Sequence, residues 1–174
     1  MNIHTKILSF SAVETTALAL WLAILGPIGL LILDIGLSVE HWMSYNTNRG
    51  KKLFNVKGVP FGKIIGFSTS ETIIWALWIL IFQAYGFIAG AIFLTALLIP
   101  QHKVELNVVE RKPLFRQLLS TRTVLISAIE GIGGTLWGAL AQNAGNIVEK
   151  ITAVLVLLAV MQLEHEEQAE EIRT

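Results

Sequence analysis

The chain has no cysteine among its 174 residues. That excludes a disulfide framework, a thiolate metal site and a cysteine nucleophile. Charge is also scarce. Asp, Glu, Lys and Arg make up 15% of the sequence, against about 25% in an ordinary soluble domain. A soluble fold of this size would struggle to cover itself with so few charges. Neither sign is in excess, with 13 basic and 13 acidic side chains, so no nucleic-acid partner is expected. No small-residue cleavage site follows the first apolar stretch, which contains Glu14; a cleavable signal peptide is not expected either.

What is present in quantity is hydrophobicity, at 53% of residues and a mean hydropathy of +0.63. Apolar segments fall near 7–25, 28–45, 64–83, 87–101, 123–141 and 147–164. Each is close to the ~20 residues that a helix needs to cross hydrocarbon. They are continuous runs rather than ten-residue alternations, which argues against a membrane β-barrel. The expectation is an all-α, multi-pass integral membrane protein with six transmembrane helices in a single domain. Gly26-Pro27, Tyr85-Gly86 and Asn143-Ala144-Gly145 punctuate its short connections. The fourth segment is the shortest, with Pro100 near its end.

The longer connections, 46–63 and 103–122, carry the basic residues. They hold Arg49, Lys51, Lys52, Lys57 and Lys63, then Lys103, Arg111, Lys112, Arg116 and Arg122. Lys6 and Arg173 lie near the termini, and in a six-span arrangement only Lys150 falls on the opposite side. The positive-inside rule then makes both termini and both loops cytoplasmic. The loops are expected to meet anionic lipid, and the acidic stretch 166–174 reads as the solvated end of the sixth helix.

Stacking the odd-numbered segments brings out an internal repeat. The first contains Ser11, Glu14 and Trp21, the third Ser68, Glu71 and Trp78, the fifth Ser127, Glu130 and Trp137. In each, Ser stands three residues before Glu, Trp seven after it, and a basic residue (Lys6, Lys63 or Arg122) eight before it. At the frequency of Trp in this chain, three matches at one given offset arise by chance about once in 40,000. The even-numbered segments end in Val39-Glu40-His41, Pro100-Gln101-His102 and Leu163-Glu164-His165, so three of the four histidines share one slot. A small residue, Gly29, Gly90 or Ala153, stands twelve before each His. The chain therefore reads as three tandem helical hairpins, 1–45, 64–102 and 123–165, about a pseudo-threefold axis along the membrane normal. Mitochondrial carriers also use three two-helix repeats, but their Pro-x-Asp/Glu-x-x-Lys/Arg signature is absent from the odd segments.

Ser, Glu and Trp at these offsets share one helix face. That face is expected to point inward, because a carboxylate facing lipid is costly. Helix rise puts Glu14 about 18 Å from the turn at Gly26 and returns His41 by about 22 Å. Three Glu and three His should therefore form one belt. Imidazole and carboxylate are the usual ligands of iron, manganese or zinc in helical bundles. The expected metal ligands are Glu14, His41, Glu71, His102, Glu130 and His165, and they suit one octahedral ion or a dinuclear site. With only O and N donors, iron or manganese ranks ahead of zinc. Glu40 and Glu164 are candidates for a general base or a bridging group, with Gln101 as their neutral counterpart. Trp21, Trp78 and Trp137 would line the apolar end of a cofactor or substrate pocket.

Around this belt, Ser44, Glu105 and Gln168 share the histidine face, with Glu105 expected at the loop edge. Trp75 breaks the repeat and is expected to face lipid or a neighbour. Asp34 stands on the face of His41, about 10 Å deeper. Gly131, Gly133, Gly134 and Gly138 allow close helix packing.

The leading function is a membrane-embedded metalloprotein, an oxidoreductase or hydrolase acting on a lipid-soluble substrate. The alternative is a divalent-cation or proton transporter or channel using the same ring. A non-catalytic membrane subunit of an oligomer or larger complex also fits. The same residues could form a metal-free polar or proton-binding network instead.

Overall fold

In a long apolar run the backbone can satisfy its own hydrogen bonds only as a helix, and every such run in this chain is helical. The computed structural model describes residues 3–46, 58–117 and 119–173. Its elements are α1 (Ile3–Ile24), α2 (Gly26–Asn46), α3 (Phe61–Val109), α4 (Thr121–Asn143) and α5 (Ile147–Arg173). Three helical stretches, His4–Ile24, Phe61–Val109 and Thr121–Asn143, are long and apolar enough to cross a membrane.

Three short turns organise the bundle. Between α1 and α2 the chain turns at Leu25 and Gly26, both with positive φ (51° and 67°). Within α3, Gly86 has φ 80° and ψ −170°, a conformation that is essentially glycine's alone. A Cβ on Gly90 would lie 3.3 Å from Trp78 Nε1, although residues twelve apart in a straight helix are about 18 Å apart. The chain therefore doubles back at Gly86, and the two arms of α3 pack on each other. The third turn is held by side chains. Asn146 Oδ1 accepts from Glu149 N (3.0 Å), and the Glu149 carboxylate accepts from Gly145 N (2.6 Å). Ser120 starts α4 by accepting from Thr123 N (3.1 Å). Consecutive helices pack side by side, and α1 also packs on α5, which closes the ring. His4 Nδ1 lies 3.2 Å from Glu166 Oε1, so the start of α1 and the far part of α5 are at the same end.

The usual polarity of a globular protein is inverted. Leu20, Ile28, Leu31, Ile73, Leu80, Ile88, Ile92, Leu136, Ile151 and Leu155 are exposed around the outside. Glu14, Glu71, Glu130, His41, His102 and His165 are buried. Charged residues are almost never fully buried in soluble proteins unless paired. Beside this polar end, the interior packs Trp21, Trp75, Trp78 and Trp137 with Leu33, Leu94, Leu98, Leu157 and Met161.

Some boundaries differ from the sequence expectation. α3 runs through Pro100 to Val109, so 103–109 is helix rather than loop, with Glu105, Leu106 and Asn107 buried. Hydropathy falls there because polar side chains turn into a polar interior, not because the helix ends. Asn107 Nδ2 then pins the following loop, donating to Leu114 O and Arg116 O (both 2.9 Å). α5 continues past 165 as the expected helix end, but Gln168 and Ala169 are buried in it rather than solvated, while Glu170 is exposed. Trp75, expected to face lipid or a neighbour, is 0% exposed in the interior. It stands four residues after Glu71 and three before Trp78, which puts all three on one face. Asp34 is not directed at the belt. It accepts from Thr69 Oγ1 (3.1 Å) beside an outer groove between α2 and α3. The basic-loop residues Arg49, Lys51, Lys52 and Lys57 lie outside the described residues.

Candidate metal centre

All five helices bring the odd-segment carboxylates and the histidines to one cavity, α1 carrying Glu14, α2 His41, α3 Glu71 and His102, α4 Glu130 and α5 His165. Carboxylate oxygens of Glu14, Glu71 and Glu130 lie within 4.8 Å of one another. Each histidine meets the glutamate of the next segment pair around the ring. His41 Nε2 is 3.6 Å from Glu71 Oε2, His102 Nε2 is 3.0 Å from Glu130 Oε2, and His165 Nδ1 is 3.8 Å from Glu14 Oε2. The repeat serines take part. Ser127 Oγ is 3.0 Å from His102 Nδ1, and Ser11 Oγ is 3.2 Å from His165 Nδ1. Ser68 instead donates to Ile64 O (3.0 Å).

Two further groups of potential ligand atoms satisfy the same 4.8 Å limit: His102 with Glu130 and Glu164, and His165 with Glu14 and Glu164. Glu164, expected as a general base, thus stands among the ligand-capable groups. Glu40 does not; it lies 2.9 Å from His165 Nε2 and accepts from Ser44 Oγ. His41 belongs to none of the three groups. Its Nδ1 is 2.7 Å from Leu37 O, and its Nε2 is 3.1 Å from Glu105 Oε1.

Glu105 is the main residue that sequence reasoning undervalued. It accepts from Tyr45 Oη and from Gln101 Nε2 (3.1 Å), and Gln168 Nε2 donates to Tyr45 Oη (3.1 Å). Its position three residues after His102 on the same face was the available signal; hydropathy ended the segment too early. Tyr45 had no signal in the repeat.

The cavity at the centre measures about 20 Å³ and is lined by six Glu and three His, with Tyr45 and Gln168. No Lys, Arg or Trp lines it. That volume takes water or bare metal ions and does not admit an organic substrate. Even with every imidazole protonated, three carboxylates would remain for protons or metal cations to balance, because unpaired buried charge costs several kcal/mol. Glu14 Oε2 and Glu130 Oε1 are buried and accept no hydrogen bond, which is unusual for a buried carboxylate and leaves both oxygens available to a cation.

The three repeat tryptophans lie about 10 Å along their helices from the glutamates. They pack on one another through Trp75, whose ring centroid is 6.3 Å from Trp21, 5.2 Å from Trp78 and 6.3 Å from Trp137. Trp78 Nε1 donates to Thr135 Oγ1 (3.0 Å). This cluster fills the interior next to the belt and contributes nothing to the cavity wall. The chain matches no protein-family model, no curated protein and no solved structure.

Proposed function

We propose that this is an integral membrane protein whose function is to hold a transition metal between its helices. The carrying observation is the buried His/Glu cluster with two carboxylate oxygens that no hydrogen bond satisfies. The ligands are drawn from Glu14, Glu71, Glu130, Glu164, His102 and His165. His41 positions Glu71 instead, since it belongs to none of the three ligand groups and its Nε2 lies closer to Glu105 (3.1 Å) than to Glu71 (3.6 Å). Iron or manganese ranks ahead of zinc on donor chemistry alone.

The surrounding architecture is six spans forming three hairpins, 1–45, 64–102 and 123–165. The reversal at Gly86, the exposed apolar exterior and the cyclic His-to-Glu contacts support it. Both termini and both long loops are cytoplasmic, on the strength of the basic residues. An oxidoreductase or hydrolase role on a lipid-soluble substrate draws no support from a cavity of about 20 Å³. Passage of ions along the axis draws none from the packed tryptophans.

Elemental analysis of mildly purified, lipid-reconstituted protein tests it. At least one equivalent of a transition metal is expected. Glu14→Gln, Glu71→Gln and Glu130→Gln should each lower occupancy ~10–100-fold. A chelator that removes the metal should lower Tm, because bound metal stabilises only the folded state. Less than about a tenth of an equivalent in wild type, or unchanged content in all three variants, removes the reading.

A further inference from the structure

We infer that the cluster holds two ions, bridged by Glu164, rather than one ion on the axis. This rests on the metal-binding reading and goes beyond it. A single octahedral ion on a threefold axis needs the three histidines to converge. None of the three ligand groups contains two histidines. Instead they are linked in a cycle by shared carboxylates: Glu164 joins the His102 group to the His165 group, while Glu14 and Glu130 tie each of these to Glu71. A carboxylate has two oxygens and can bridge, and paired metals about 3.5–4 Å apart are a standard arrangement. The two carboxylates that join Glu71 to the histidine groups are the two with an unbonded oxygen.

The histidines fit this division. His102 presents Nε2 to Glu130 (3.0 Å), with Nδ1 on Ser127 Oγ (3.0 Å). His165 has Nε2 on Glu40 (2.9 Å) and Nδ1 on Met161 O (2.8 Å), with Glu164 (3.4 Å) and Glu14 (3.8 Å) beside the same Nδ1, so an ion at this nitrogen takes the place of the Met161 contact. A ligating histidine commonly gives its other ring N–H to a carboxylate or comparable acceptor, and both have one. The three pseudo-equivalent positions before the histidines then separate by role. Glu164 is the bridge, Glu40 backs His165, and Gln101 donates to Glu105. Four carboxylates and two imidazoles are also the donor set of soluble dinuclear carboxylate bundles, reached here with different sequence spacing. Two divalent cations match four carboxylates in charge.

Parallel titrations of reconstituted protein with manganese(II), with iron(II) under anaerobic conditions and with zinc(II) count the ions. Saturation at two per chain is expected for at least one metal, with a spin-coupled signal when that metal is manganese or iron. His102→Ala and His165→Ala should each fall to one ion without coupling, and Glu164→Gln should lose the coupling and at least one ion. His41→Ala should still reach two, at weaker affinity. Helicity and elution volume check that each variant is folded. Saturation of wild type at one ion, or a loss in His41→Ala as large as in His102→Ala, overturns the two-ion centre while leaving metal binding intact. No saturable binding of any of the three metals overturns both.

Discussion

Glu105 shows how much one buried side chain can organise. It receives the Tyr45 hydroxyl and the Gln101 amide, and it faces His41, which in turn faces Glu71. Removing it takes one acceptor from the Tyr45 hydroxyl and one from the Gln101 amide, and a lost buried hydrogen bond costs about 1–3 kcal/mol. Glu105→Ala should therefore lower Tm clearly in detergent-solubilised protein, and Glu105→Gln, which keeps one acceptor oxygen, should lower it less. A Tm for Glu105→Ala equal to wild type would mean that Glu105 sits in solvent, as segment hydropathy had suggested. Trp75 makes a similar point. Its position breaks the repeat, yet its indole is the contact shared by the other three tryptophans.

At the scale of elements, turns and close approaches decide the architecture. Gly86 lets α3 reverse, and its φ of 80° with ψ of −170° is closed to side chains with a Cβ. Forcing such a conformation costs about 1–3 kcal/mol, so Gly86→Ala should destabilise by that order. On α4, a Cβ at Gly138 would stand 2.5 Å from the Trp78 ring. Trp78 is buried and hydrogen-bonded to Thr135, so it cannot simply move aside. Gly138→Ala should cost a comparable amount by overpacking. Unfolding midpoints of the two variants check both, and a neutral Gly138→Ala would mean that α3 and α4 can separate freely.

For the whole molecule, the distribution of polarity is the governing fact: apolar side chains face out and a charged cluster lies within. In water that pattern is unstable; in hydrocarbon it keeps the Glu/His cluster away from the lipid. The absence of cysteine makes the topology directly testable. Asn143→Cys, beside the α4–α5 turn, should react with an impermeant thiol reagent from outside intact cells. Lys112→Cys, in the α3–α4 loop, should react only after permeabilisation. Labelling of both from the same side would eliminate the six-span topology, since these positions close opposite ends of α4.

Helical class, the short turns and the belt of Glu14, Glu71, Glu130, His41, His102 and His165 were legible in the sequence. Helix rise and periodicity are local, and the recurring Ser, Glu and Trp spacing puts those residues on one helix face each time. What the sequence could not determine is which partner each of these side chains meets. His41 and His165 stand at matching places in the sequence pattern, yet His41 has Glu105 as its nearest carboxylate on Nε2, while His165 falls in a ligand group with Glu14 and Glu164. The difference arises from neighbours on other helices: Tyr45 and Gln101 hold Glu105 against His41, and Glu40 reaches across from α2 to His165. Likewise hydropathy ended the fourth segment at 101, whereas packing continues α3 to Val109 because its polar side chains find polar partners inside the bundle. Periodicity assigns a residue to a face; only the packing of helices distant in sequence assigns it a partner, and the partners decide which buried imidazoles stand among ligand-capable carboxylates.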